Sequence, residues 1–211
     1  MAVICPTITA QDPHGYREQV AQVEPFAQRI HIDLADGSFA PTKLIGPAQI
    51  YWPEDMTADL HIMYTKPRDQ LETLVSLRPN LVIVHAESDG DILGMLLELQ
   101  SFGIKAGIGL LPKTDISEYE DLVSAADHVL IFAGNLGYQG GQADMTALQR
   151  IPDIRAINPT AELAWDGGIT AENLPLLLQQ GIEVLNVGSY IQHADDPAKA
   201  FETLNQLLAK Q

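Results

Sequence analysis

Eight short apolar runs recur along the chain: VICPTI (3–8), RIHIDLAD (29–36), ADLHIMY (58–64), LVIVHAE (81–87), KAGIGLL (105–111), HVLIFAG (128–134), AELAWDG (161–167) and VLNVGSY (184–190). Each has strand length, and most are rich in Val, Ile and Leu. They lack the strict apolar–polar alternation of a half-exposed strand, which points to parallel strands covered on both faces. Between them, YREQVAQVEPFAQR, DILGMLLELQSFG, ADMTALQRIPDIRAI, TAENLPLLLQQG and DPAKAFETLNQLLAK repeat apolar residues at spacings of three and four, the period of an amphipathic helix. Gly103 and Gly181 are placed to stop helices, and Thr170 and Asp196 to cap them. Only the second connection, KLIGPAQIYWPEDM, is a poor helix.

No Ser/Pro-rich linker, low-complexity tract or charge block divides the chain, so one domain over residues 1–211 is expected. Strand–helix pairs in this number predict an α/β fold, a single (β/α)8 TIM barrel. A doubly wound sheet is the alternative, weakened because no GxGxxG turn follows the first run. In a barrel, chemistry sits where strands end and βα loops begin. The polar residues inside the apolar runs fall there: His31, Asp33 and Asp36 on the second strand, His61 on the third, His85 and Glu87 on the fourth, and Asp166 on the seventh.

Alternation puts His31 and Asp33 on one face of their strand, and His61 at the matching place on the next. An isolated buried charge is costly, so these groups need partners. Two readings stand at this point. The imidazoles and carboxylates form a shell for a divalent metal such as Zn, Fe(II), Mn or Co. Alternatively, they are hydrogen-bonded pairs that stabilise the barrel rim.

Composition narrows the partners. Hydrophobic residues make up 46% of the chain, enough for a substantial core. The net charge is -16, from 12 Lys+Arg against 28 Asp+Glu, so the surface repels nucleic acid and anionic membranes, and neither partner is expected. An anionic substrate must then be gripped locally, by backbone N–H groups. Cys5 is the sole cysteine, which excludes an intrachain disulfide. No basic n-region precedes AVICPTIT and no apolar run approaches membrane-spanning length, so a cytoplasmic location is expected.

Ordered motifs decide between the readings. HIDLADGSFAP, DLHIM (59–63), HAE (85–87), GNLGYQGGQ, DGGIT and VGSY follow one another as in the ribulose-phosphate 3-epimerase family, which this chain resembles almost end to end. The resemblance implies one divalent metal ion per chain, held by His31, Asp33, His61 and Asp166. It makes Asp33 and Asp166 the catalytic acid and base. It also implies a ketose phosphate substrate, D-ribulose 5-phosphate first, bound by Thr7, His61, Gly137, Gly140, Gly141, Gly167, Gly168, Gly188 and Ser189. The family also implies a homo-oligomer. His85 and Glu87 are expected behind the ligands or as satisfied core groups. Asp36 is expected to brace its loop through Gly37, Cys5 and Trp52 to pack, and Trp165 to pack and fix the end of its strand.

Three departures from the family pattern bear on the substrate. Ala35 and Phe132 stand where methionine is usual. Counted from its Asn, the loop GNLGYQGGQ is one residue longer than N-P-G-F-G-G-Q and lacks its proline. Leu111 replaces a polar residue. All are expected near the pocket, which keeps a hexulose 6-phosphate open as the substrate and a non-catalytic phosphosugar binder open as the role. A decarboxylase or aldolase-type relative would need D-x-K-x-x-D, which neither DLADG nor DLHIMYTKP supplies.

Overall fold

The computed structural model describes residues 2–138 and 140–210. Eight parallel strands, β1 (Val3–Ile8), β2 (Arg29–Ala35), β3 (Thr57–Met63), β4 (Leu81–His85), β5 (Lys105–Leu110), β6 (His128–Phe132), β7 (Glu162–Asp166) and β8 (Val184–Val187), close into a barrel in chain order. The last strand pairs with the first, Val3 opposite Val184 and Pro6 opposite Val187. The helices are α1 (Pro13–Val23), α2 (Leu71–Leu77), α3 (Ile92–Ser101), α4 (Glu120–Ala125), α5 (Ile151–Ile157), α6 (Leu174–Gln179), α7 (Ser189–Gln192) and α8 (Pro197–Leu208). No described helix is long and apolar enough to cross a membrane.

The (β/α)8 expectation therefore holds, with an uneven distribution of helices. After β2 there is only the 3-10 turn Pro47–Gln49, as the weak pattern there indicated, while β8 is followed by two helices. The run VLNVGSY is shorter as a strand than it reads: Gly188 turns the backbone out of the sheet, and Ser189 begins α7. The pattern over 143–157 splits into a 3-10 turn (Met145–Arg150) and α5, because Pro152 has no N–H and suits only a first turn. The first helical pattern is also displaced. Asp12 caps α1 through the N–H groups of His14 and Gly15, and the helix ends before Pro25. Asp196 caps α8 as expected, accepting from Lys199 N. Thr170 instead caps the turn before α6, accepting from Glu172 and Asn173, and Asn173 is the residue that precedes the helix.

Alternation along the strands stacks the interior in layers. At the N-terminal end Arg29 holds Asp59 at 2.7 Å and both oxygens of Glu162 at 3.0 and 2.9 Å, and His128 reaches Glu162 at 2.9 Å. Above this lies an apolar layer of Cys5, Leu81, Ile83, Leu130, Ala164 and Val184. Cys5 is a packing residue there, and burial pushes its thiol up. Two residues further along, the inward positions turn mostly polar, with Thr7, His85, Asp166 and Asn186, and only Phe132 on β6 stays apolar among the strands of that layer. Packing thus forces the second polar layer to the C-terminal mouth, where loops can build on it.

Candidate active site

His31 and Asp33, at successive inward positions on β2, His61 on β3 and Asp166 on β7 converge at that mouth. Asp33 is the register partner of His61. One nitrogen or oxygen from each of the four lies within 4.8 Å of the other three. Asp33 Oδ1 sits 2.9 Å from His61 Nδ1 and 3.2 Å from His31 Nε2. Asp166 Oδ2 approaches the same nitrogens at 3.7 and 3.6 Å. Both imidazoles are fully buried, and each carboxylate keeps a small opening to the pocket above. Thr9 Oγ1 donates to the other Asp33 oxygen at 2.8 Å, and Gln19 clamps Thr9 through both its backbone N–H and its carbonyl.

The electrostatics are those of a site awaiting positive charge. Burial alone would pull the His31 imidazole down, but the Asp166 and Asp33 carboxylates outweigh it and hold the ring up at about 10. Burial would likewise raise Asp33, yet the His31 and His61 imidazoles that face it win and keep it well below the usual carboxylate range. Without an ion, the proton on His31 serves as the local cation.

The donor set fits a divalent metal. His31 Nε2 is buried beside two carboxylates but makes no properly directed hydrogen bond to either. Two nitrogens and two oxygens, with nitrogen–oxygen separations of 2.9–3.7 Å, match the edges of a tetrahedron whose metal–ligand bonds are about 2.0–2.2 Å. An ion there would satisfy His31 Nε2 directly.

The remaining expectations distribute around this centre. The pocket over the carboxylates is lined by Thr7, Gly137, Gly140, Gly167, Gly168, Gly188 and Ser189 among others. Gly141 is on the same loop but turns against Asn135 and is not in the lining. Gln139, in GNLGYQGGQ, lies outside the described residues. A Cβ on Gly167 would come within 2.3 Å of Gly134 N, and one on Gly168 within 2.2 Å of Ala143 N, so the loops after β6 and β7 pack backbone to backbone. Asp36 braces its loop as expected, accepting from Ser38, Phe39 and Thr65. Trp165 is buried and donates to Gly167 O at 3.0 Å, fixing the turn after Asp166.

Of the departures, Phe132 and the lengthened loop line the pocket, the loop through Gly134, Asn135, Gly137, Tyr138 and Gly140. Ala35 is buried below it in a small apolar cluster with Ala40, Leu44 and Met63, onto which Phe39 and Leu136 pack. Leu111 is a correction: it stands away from the pocket, and its N–H donates to Glu87 Oε1 at 3.0 Å.

Two residues escaped the sequence reading. Thr9 lies just beyond β1, with no pattern around it to mark it. Asn186 faces inward opposite Asp166, is buried, and its amide has no hydrogen-bond partner among the described residues. A single Asn in the apolar run VLNV was a signal that could have found it.

Comparison with known proteins follows the geometry. The ribulose-phosphate 3 epimerase family model matches residues 3–192. The chain is 30% identical over 212 residues to the chloroplastic ribulose-5-phosphate-3-epimerase of Arabidopsis thaliana, across 95% of this chain and 75% of that one. It is 29% identical over 216 residues to the ribulose-phosphate 3-epimerase of Aquifex aeolicus, across 99% and 97% of the two. A solved 3-hexulose-6-phosphate synthase superposes with a TM-score of 0.74 over 97% of this chain and 98% of its own, at 18% identity, which is a likeness of fold.

Proposed function

Because the chain belongs to the ribulose-phosphate 3-epimerase family, we propose that it interconverts D-ribulose 5-phosphate and D-xylulose 5-phosphate, with Asp33 and Asp166 as acid and base. The enzyme is a carbohydrate epimerase, and the chemistry of C3 inversion sets what its residues must do. One carboxylate takes the C3 proton, and the electrons of that C–H bond pass to the C2 oxygen as an enediolate. The other carboxyl group, protonated, delivers a proton to the opposite face of C3. Carboxylates on β2 and β7, separated by β1 and β8, stand on different sides of the mouth, as two-face delivery requires.

His31, Asp33, His61 and Asp166 would hold a divalent cation, which when bound supplies positive charge for the oxygen that becomes negative as the proton leaves. The imidazoles also keep the carboxylates in place: His61 Nδ1 and His31 Nε2 both face Asp33 Oδ1. Thr9 fixes the rotation of Asp33 through its second oxygen. Glycine backbone at 137, 140, 167, 168 and 188, with Ser189, surrounds the place for the phosphate. The convergence of the four side chains within 4.8 Å is the observation that carries this reading.

Proton NMR of D-ribulose 5-phosphate in deuterated water tests it. The C3 signal is expected to exchange with solvent and xylulose 5-phosphate to appear, both stopping on chelation and returning with Zn(II), Mn(II), Co(II) or Fe(II). Unchanged C3–H after prolonged incubation with each ion would remove the proposal.

A further inference from the structure

We propose that His85 and Glu87 are positioning residues that lock the tautomer of His61 so that its Nδ1 is free of a proton and turned to the cation. This rests on the reading that His31, Asp33, His61 and Asp166 hold a divalent ion. His61 presents Nδ1 to Asp33 at 2.9 Å and to Asp166 at 3.7 Å, and its other nitrogen, Nε2, lies 2.8 Å from His85 Nε2. Only one of two facing imidazole nitrogens can carry the proton between them. A nitrogen that ligates a metal carries none, so the His61 proton must sit on Nε2 and be donated to His85. His85 then accepts at Nε2 and must hold its own proton on Nδ1.

That Nδ1 faces Glu87 Oε2 at 3.5 Å, and neither atom has a hydrogen-bond partner among the described residues. At this distance the contact is a charge–dipole one, and it favours an N–H over a lone pair facing the carboxylate. Glu87 cannot swing away. Its Oε1 accepts from Leu111 N and Thr114 Oγ1, and Arg150 ties that loop down by donating to Leu111 O at 2.7 Å and Thr114 O at 2.9 Å. The His85 ring is itself wedged. Phe39 packs over it with centroids 4.9 Å apart, and Gly109 lies so close that a Cβ there would press on the ring at 3.2 Å. The polarity of the His61 ring is therefore set from outside the site, through one imidazole and one carboxylate.

Zn(II) affinity, measured by competition with a chromophoric chelator, tests this alongside nitrogen-15 NMR of the Zn-loaded chain. His85→Leu leaves the His61 N–H facing carbon, and Zn(II) binding is expected to weaken about tenfold to a hundredfold. His85→Gln restores an acceptor near Nε2 and should recover part of that loss, which a purely space-filling role for the ring would not produce. Glu87→Gln keeps the size of the side chain and guards against a folding defect in the His85 variants; about tenfold weaker binding is expected. In the parent chain NMR should find His61 protonated on Nε2 and His85 on Nδ1. Affinities of folded His85→Leu and Glu87→Gln within about twofold of the parent, or a parent His85 protonated on Nε2, would overturn the proposal. A parent chain that binds no Zn(II) would overturn the cation reading together with this one, whereas the outcomes just named leave that reading standing.

Discussion

Asp33 and Asp166 stand three strands apart in the barrel ring, yet both bring a carboxylate oxygen to the same nitrogen, Nε2 of His31, at 3.2 and 3.6 Å. Like charges so placed repel unless a cation lies between them, and the imidazole they share shows what fills that role. In the free protein it is the His31 proton; in the working enzyme we assign it to a metal.

The acid/base assignment is open to direct substitution. Asp33→Asn and Asp166→Asn keep size and remove the ability to take or give the proton. Turnover is expected to fall by on the order of 10² to 10⁴ in each, with C3 exchange lost in parallel. Exchange near the parent rate in either folded variant would exclude that residue.

Metal binding should be linked to protons. His31 is held up at about 10 by the two carboxylates, so it is protonated near neutrality, whereas a ligating imidazole is neutral. Loading with Zn(II) between about pH 6 and 8 is therefore expected to release about one proton per ion, and apparent affinity to rise about tenfold per pH unit. Calorimetry in two buffers of different protonation enthalpy reads both quantities. An affinity that does not change with pH would contradict the assignment.

Far from the pocket, the N-terminal end of the barrel has its own pH signature. Burial would raise Glu162, but hydrogen bonds from His128 and Arg29 outweigh it and hold the carboxyl well below its ordinary 4.5. A depressed carboxylate contributes stability that is full above the unfolded value and is lost as pH falls below it. Glu162→Gln should thus lower Tm at pH 7 and flatten the decline below about pH 4.5, so that the two melting curves converge on acidification. Parallel curves across the whole range would show that this cluster does not govern acid stability.

Gly168→Ala probes the contact between the loops after β6 and β7. The residue has φ +63 and no room beside Ala143, so the loop after β6 must move. The expected outcome is a rise in KM for the phosphorylated substrate well above any fall in kcat, with Zn(II) affinity retained. Parent-like KM would place the phosphate elsewhere.

The barrel was readable because parallel strands covered on both faces are nearly pure apolar runs, and polar residues inside such runs are conspicuous. His31, Asp33, His61 and Asp166 stood out for that reason, and the family motifs then gave them roles. Local backbone chemistry was less readable. Gly188 ends β8 early and Pro152 splits a helical pattern, each overriding side-chain periodicity at one residue. Side-chain contacts between neighbouring strands were only partly readable, since the motif HAE placed His85 and Glu87 behind the ligands without their partners. The 2.8 Å approach of His61 to His85 depends on strand register, and the bond from Leu111 to Glu87 on a loop conformation. Thr9 was invisible for the same cause: its hydroxyl matters only because Asp33 lies across the strand gap.

The most direct measurement is an anomalous difference map from crystals of the protein grown with Co(II). The arrangement described here requires one peak bonded to His31 Nε2, His61 Nδ1, Asp33 and Asp166, at about 2.0–2.2 Å from each. An empty centre in cobalt-saturated crystals, or a peak held by other side chains, would contradict it.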